Sequence, residues 1–134
     1  MQKVHFTKLK RLQVKNGDVF HGLKASEKDF STFGEAYFTS IEYQKIKGWK
    51  QHQQMEMNLI VPCGDVRFHV YSKDQKTYQS FHLNEQNYGR LTVPPGYWLA
   101  FEGKGNGLNL VLNISSIEHC PDEVVSLPLN SMTL

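Results

Sequence analysis

Lys47-Gly48-Trp49-Lys50-Gln51-His52-Gln53-Gln54-Met55-Glu56-Met57-Asn58-Leu59-Ile60-Val61-Pro62-Cys63-Gly64 runs from a cation-rich segment into an apolar run and stops at a glycine. Met55 to Val61, closed by Pro62 and Gly64, has the pattern of a central β-strand, a short apolar run bounded by residues that turn the chain. Ahead of it, Lys50 and His52 stand two apart, so on an extended backbone their side chains share a face. Two basic side chains on one face, next to Trp49 and leading into a buried strand, describe the wall of a pocket.

Outward from this stretch the same grammar repeats. Downstream, Asp65 to Tyr71 alternates cleanly, with Val66, Phe68 and Val70 on one face and Arg67, His69 and Tyr71 on the other. Thr77 to Leu83, Gly89 to Val93 and Tyr97 to Glu102 read as further strands. Pro94-Pro95-Gly96 is a strong turn, because Pro fixes φ and Gly supplies a conformation that other residues avoid. Gly103 to Gly107 reads as a hairpin loop from which Leu108 to Ile114 pairs back. Upstream, Glu35 to Ile41 is aromatic and β-branched, hence a strand, with Lys45 to Lys50 as the next extended piece. Lys24 to Phe33 is a polar loop, and Asn16-Gly17-Asp18 is a turn. No helix has a convincing pattern. Short strands separated by turn residues every ten residues or so predict an all-β antiparallel barrel or jelly roll. The core is expected over 33–123, with an N-terminal strand segment (1–32) and a weakly patterned tail (124–134) that frays from Leu129.

Composition narrows the function. The 134 residues suit one domain with one core, and 40% hydrophobic against 21% charged residues is ordinary for a globular chain. A net charge of +2 with scattered lysines and arginines does not suit nucleic acid. No apolar run is long enough for a transmembrane helix, and the N-terminus lacks the apolar region of a secretory signal. The two cysteines, Cys63 and Cys120, are expected as reduced thiols in a cytoplasmic protein.

Two motifs carry a family resemblance. Gly48-x-Lys50-x-His52-x3-Glu56, ending at Gly64, and Gly89-x4-Pro94-Pro95-Gly96 resemble the two motifs of the cupin superfamily. Metal-binding cupins place a histidine where this chain has Lys50 and another where it has Leu99. Only His52 and Glu56 remain, fewer than the three protein ligands that a stable divalent site needs, so no metal is expected. The closer resemblance, spanning about 33–123, is to the metal-free sugar-nucleotide cupins, the dTDP-4-dehydrorhamnose 3,5-epimerases and dTDP-4-keto-6-deoxyhexose 3,4-ketoisomerases. Asn87 to Trp98 and Leu112 to Glu123 are similar to that branch. There the epimerase base falls on Lys50 and its acidic tyrosine on Leu112, while the ketoisomerase His-x-His pair falls on Lys50 and His52.

The resemblance implies a homodimer that epimerises or keto-isomerises a nucleotide-linked 4-keto-6-deoxy sugar for surface-polysaccharide synthesis, without cofactor. The alternative it admits is a degenerate cupin that binds a sugar or sugar nucleotide without turnover. Such reactions move a proton from a carbon beside a ketone and need a base tuned near neutrality. Lys50 would serve if burial depressed its basicity, and His52 titrates in the right range unaided. His119 is the third catalytic candidate. The implied substrate contacts are Lys47, Trp49, Tyr37, Glu56, Asn58, Arg67, Tyr97 and Trp98. For several of these the plainer reading also stands. A polar stripe such as Arg67-His69-Tyr71 is most often the solvent face of a sheet, and Trp49 and Trp98 suit a core as well as a nucleobase platform.

Overall fold

Val66, Phe68 and Val70 point into the protein's main core, and Arg67, His69 and Tyr71 face the other way. The same alternation organises the whole computed structural model, which describes residues 2–134. The strands are β1 (His5–Lys8), β2 (Arg11–Leu12), β3 (Val19–Phe20), β4 (Glu35–Ser40), β5 (Ile46–His52), β6 (Met57–Cys63), β7 (Asp65–Tyr71), β8 (Tyr78–Asn84), β9 (Gly89–Val93), β10 (Trp98–Gly103), β11 (Leu110–Ser115) and β12 (Val124–Ser126). Among the described residues only two single-turn 3₁₀ helices, Pro121–Glu123 and Leu129–Ser131, interrupt the β structure.

Two antiparallel sheets of five strands, ordered β1-β9-β6-β11-β4 and β12-β5-β10-β7-β8, stack face to face. The fold is a cupin-type jelly roll. Met57, Leu59, Val61, Leu91 and Val111 from the first sheet meet Phe68, Val70 and Leu99 from the second. Each such side chain fully withdrawn from water contributes about 1.5–3 kcal/mol before the entropy of ordering is counted. The chain passes from β6 in one sheet to β7 in the other at Gly64, whose φ is +95°, and a Cβ there would stand 2.4 Å from the Leu108 carbonyl oxygen. Both constraints select glycine.

Two features depart from the sequence reading. Gly103 to Gly107 does not close a hairpin. Both edges of β10 are taken, by β5 and β7, so the chain crosses to the first sheet and β11 pairs with β6 and β4. Buried Asn109 holds this crossing: its Oδ1 accepts the Asp65 N–H at 2.9 Å and its Nδ2 donates to the Ile41 carbonyl at 3.1 Å. Nor is the tail frayed. Trp49, Trp98 and Ala100 form an apolar patch on the outer face of the second sheet, and Met132 and Leu127 pack on it. Trp49 Nε1 donates to the Leu129 carbonyl at 3.0 Å, and the Tyr71 hydroxyl to the Thr133 carbonyl at 2.6 Å. The tail stays down because it covers indole surface that water would otherwise wet.

The loop that begins near Gly22 covers part of the outer face of the first sheet. Beneath it Arg90 is fully buried, donating to the Gly22 carbonyl and Glu27 Oε2, each at 2.6 Å, and to Asp29 Oδ2 at 3.1 Å.

Candidate functional site

Between the sheets lies a cavity of about 220 Å³. Its apolar wall includes Leu59, Phe68, Leu99, Phe101 and Val111. Its polar groups are Tyr37 and Thr39 from β4, Lys47, Lys50 and His52 from β5, Asn113 from β11, and His119 from the segment after β11.

β5 supplies most of this chemistry because it is irregular. Lys50 lies opposite Leu99 and Lys47 opposite Phe101, so β5 holds one residue more than β10 between these pairs. This is a β-bulge, which resets the alternation of side chains. Lys47 and Lys50, three apart, therefore both reach the cavity, and Trp49 between them points to the outer core. Lys47 Nζ donates to Thr39 Oγ1 at 3.0 Å and lies 5.7 Å from the centre of the Phe101 ring. Among the described residues neither lysine pairs with a carboxylate. Lys50 is exposed rather than buried.

His52 is buried at the end of β5, with its Nδ1 2.5 Å from Glu123 Oε2. The other oxygen of Glu123 accepts the backbone N–H groups of Gln54 and Met55, both at 3.0 Å. Burial pushes the Glu123 carboxyl up, but the His52 hydrogen bond and the two amides outweigh it and hold the group below the usual carboxylate range. An ionised Glu123 accepts a proton-bearing Nδ1, which leaves Nε2 of a neutral His52 with its lone pair free. The Pro94-Pro95-Gly96 turn braces the same strand end: the Gly96 N–H, at φ +98°, donates to the His52 carbonyl at 2.8 Å. The two sequence motifs thus meet at this histidine.

Of the sequence candidates, Tyr37, Lys47, Lys50, His52 and His119 line the cavity. The others do not. Trp49 and Trp98 belong to the outer core under the tail. Asn58 is buried on the opposite face of β6, where its Oδ1 accepts from Thr92 Oγ1 at 2.7 Å. Arg67 faces outward on β7, since the inward positions there are Val66 and Phe68. Tyr97 spends its hydroxyl on the Gln2 carbonyl at 3.0 Å. Glu56 lies near Ser31 Oγ, 3.4 Å away, and burial raises its carboxyl above the ordinary range. His52 and Glu56 do not converge, and no group of three His, Cys, Asp or Glu among the described residues is placed to hold a metal ion.

Leu112 also changes meaning. It faces out of the barrel, opposite Phe38 and Ile60, while Val111 and Asn113 face the cavity. Sequence reading gave no role to Glu123 or Asn113. The signal for Asn113 was available, as a polar residue at an inward position of an otherwise apolar strand. Glu123 lies 71 residues from His52, and no local pattern links the two.

No family model matches the sequence, and no curated protein matches it. Solved structures do. A dTDP-sugar isomerase from Desulfovibrio desulfuricans superposes with a TM-score of 0.90 at 28% identity, covering 96% of this chain and 85% of that one. A sugar 3,4-ketoisomerase from Thermoanaerobacterium thermosaccharolyticum, solved with TDP, gives 0.78 at 17% identity over 91% of this chain and 86% of that one. A dTDP-4-dehydrorhamnose 3,5-epimerase from Sulfolobus tokodaii gives 0.83 at 17% identity, covering 98% and 80%. In its fold and in the solved structures it superposes on, the chain resembles the cupins that isomerise and epimerise dTDP-linked sugars.

Proposed function

We propose that this protein epimerises or keto-isomerises a nucleotide-linked 4-keto-6-deoxy sugar, with His52 as the proton-transferring base. The observation that carries the reading is the His52–Glu123 pair at the wall of a cavity that also holds two unpaired lysines. The reaction begins when Nε2 of His52 takes the proton from the carbon beside the ketone. Glu123 keeps the accepting tautomer in place and stabilises the imidazolium that forms. The negative charge moves to the ketone oxygen, within the field of the Lys50 ammonium and in reach of a hydroxyl donor such as Tyr37. Delivery of a proton to the same carbon from the opposite face gives an epimer; delivery to the former ketone carbon, with the hydroxyl on the deprotonated carbon losing its proton as the former ketone oxygen gains one, gives a keto-isomer. Lys47 and Lys50, as compact cations, suit the nucleotide's phosphates. His119, whose backbone N–H is held by Glu35 Oε1 at 2.9 Å, is a second acid at the rim.

This reading brings with it a cytoplasmic setting, where sugar nucleotides are made, and a role in surface-polysaccharide synthesis. It also brings a homodimer, for which the exposed Phe33 and Phe38 beside edge strand β4 are the candidate surface. The test is incubation with dTDP-4-keto-6-deoxyglucose in deuterated water. Deuterium enters the sugar ring with the wild type and not with His52→Asn; a ring that gains no deuterium from any 4-keto-6-deoxy sugar nucleotide refutes catalysis.

A second reading, a binder without turnover, draws on the exposure of Lys50 and on Leu99, a side chain with no proton to give in the cavity wall. It requires dTDP-sugar binding by calorimetry, weakened in Lys50→Ala, with no exchange of ring protons.

A further inference from the structure

Asn113 is 2% exposed and lines the cavity, yet its Oδ1 is buried without a hydrogen-bond partner. Buried amide oxygens are almost always satisfied, so an orphan that faces a cavity marks the place of a missing donor. Its neighbour on β11, Ser115, shows the ordinary case: its hydroxyl lies 2.9 Å from both the Glu35 and Ile117 carbonyls. The other half of the Asn113 amide is occupied, with Nδ2 donating to the Tyr37 hydroxyl oxygen at 3.0 Å. Tyr37 lies directly across from Asn113 in the β4–β11 register, so the two side chains form one unit on the cavity wall.

That unit offers a free acceptor, Asn113 Oδ1, and beside it a free donor, the Tyr37 O–H. Reversing the amide changes nothing essential: Tyr37 would donate to Oδ1, Nδ2 would become the free donor, and the Tyr37 oxygen the free acceptor. Either way the wall complements a group that carries a donor and an acceptor on adjacent atoms.

We propose that Asn113, with Tyr37, is the specificity-determining pair for an α-hydroxyketone. It accepts from the hydroxyl beside the ketone while Tyr37 donates to the ketone oxygen. The inference rests on the proposed sugar-nucleotide function and extends it to the sugar's own functional groups. It selects for ketosugars that keep a hydroxyl next to the carbonyl and against those that have lost it. A ligand with hydrogen at that carbon leaves the buried amide unsatisfied.

The test uses His52→Asn protein, so that bound sugar is not turned over, and calorimetry with three ligands: dTDP, dTDP-4-keto-6-deoxyglucose, and its analogue with hydrogen in place of the hydroxyl beside the ketone. The hydroxylated sugar is expected to bind at least about tenfold more tightly than the deoxy analogue. Adding Asn113→Leu brings that ratio to near one and leaves dTDP affinity unchanged. Asn113→Ser, too short to reach the sugar, replaces Asn113→Leu if the leucine variant does not fold, and the comparison of the two sugars needs neither. Equal binding of the two sugars, with dTDP still bound, overturns this inference and leaves the proposed function standing. A preference that survives the loss of Asn113 overturns it too, by placing hydroxyl recognition elsewhere. Failure to bind dTDP at all overturns the function and this inference with it.

Discussion

His52 Nδ1 and Glu123 Oε2 are 2.5 Å apart and both side chains are buried, although 71 residues separate them in the chain. β12, which follows Glu123 directly, pairs with β5 so that Val124 lies opposite His52. The carboxylate is thus delivered by strand pairing and then fixed by two backbone amides, and the histidine has one tautomer available to it.

This arrangement makes Glu123→Gln informative, because the substitution keeps the shape and removes the charge. The glutamine can turn its oxygen to the Gln54 and Met55 amides, which aims its NH₂ at Nδ1. Nδ1 must then accept, the proton moves to Nε2, and the base is blocked. Turnover of dTDP-4-keto-6-deoxyglucose is expected to fall by roughly a hundredfold or more, with KM little changed. A variant with near wild-type kcat would show that His52 does not act through Nε2.

Lys47 and Lys50 owe their shared direction to the bulge in β5. If both face phosphate, Lys47→Met and Lys50→Met each weaken dTDP binding by about tenfold, the size of one charge-assisted contact, and each lowers its salt dependence. Calorimetry at two ionic strengths checks this. A lysine whose loss changes neither affinity nor salt dependence is not a phosphate contact.

Much of this was legible in the sequence, and what was not has identifiable causes. Alternation located β7 to the residue, because that strand has one face in the core and one outside it, and apolar runs, β-branched composition and turn residues placed the other strands from β4 to β11 to within about two residues. It also placed Lys50 and His52 on one face. It could not place Lys47, since the bulge depends on how β5 pairs with β10. The family resemblance implied substrate contacts for Trp49, Trp98 and Arg67, whereas their positions, the tryptophans in the outer core under the tail and Arg67 on the outward face of β7, match the plainer reading of the same residues. The crossing after β10 looked like a hairpin because a glycine-rich turn has the same composition whether it joins strands of one sheet or of two. Asn113 was visible as a polar residue on an apolar strand but its partner Tyr37 was not, and Glu123 draws its meaning from His52, 71 residues away, which no window of sequence contains.

The packed tail leads to a stability prediction that the sequence alone would not support. Met132 closes the outer core over Trp49 and Trp98, and Trp49 is fully buried beneath it. Met132→Ala is expected to destabilise the protein by about 2 kcal/mol or more, as other buried methionine truncations do. Tryptophan emission should shift to the red as water reaches the indoles. An unchanged urea midpoint and emission maximum would mean that the tail does not hold this position in solution.

Acid should act on the buried carboxylates. For Asp29, burial raises the carboxyl, but hydrogen bonds and charge from His5 (2.7 Å) and Arg90 (3.1 Å) more than offset it and hold the group below its ordinary range. Glu123 is shifted in the same direction. A carboxylate with a lower pKa in the folded state than in the unfolded one binds fewer protons when folded. Its contribution is therefore complete above the unfolded value of about 4 and is lost as pH falls through the folded one. Wild-type stability, read from urea midpoints, should drop steeply below about pH 4. Asp29→Asn should be less stable at neutral pH, by about 3 kcal/mol, because the fully buried guanidinium of Arg90 keeps only Glu27 as a charged partner. The same variant should lose less on acidification, since one of the groups that must be protonated is gone. Parallel pH profiles for variant and wild type would show that Asp29 is not ionised in the folded protein.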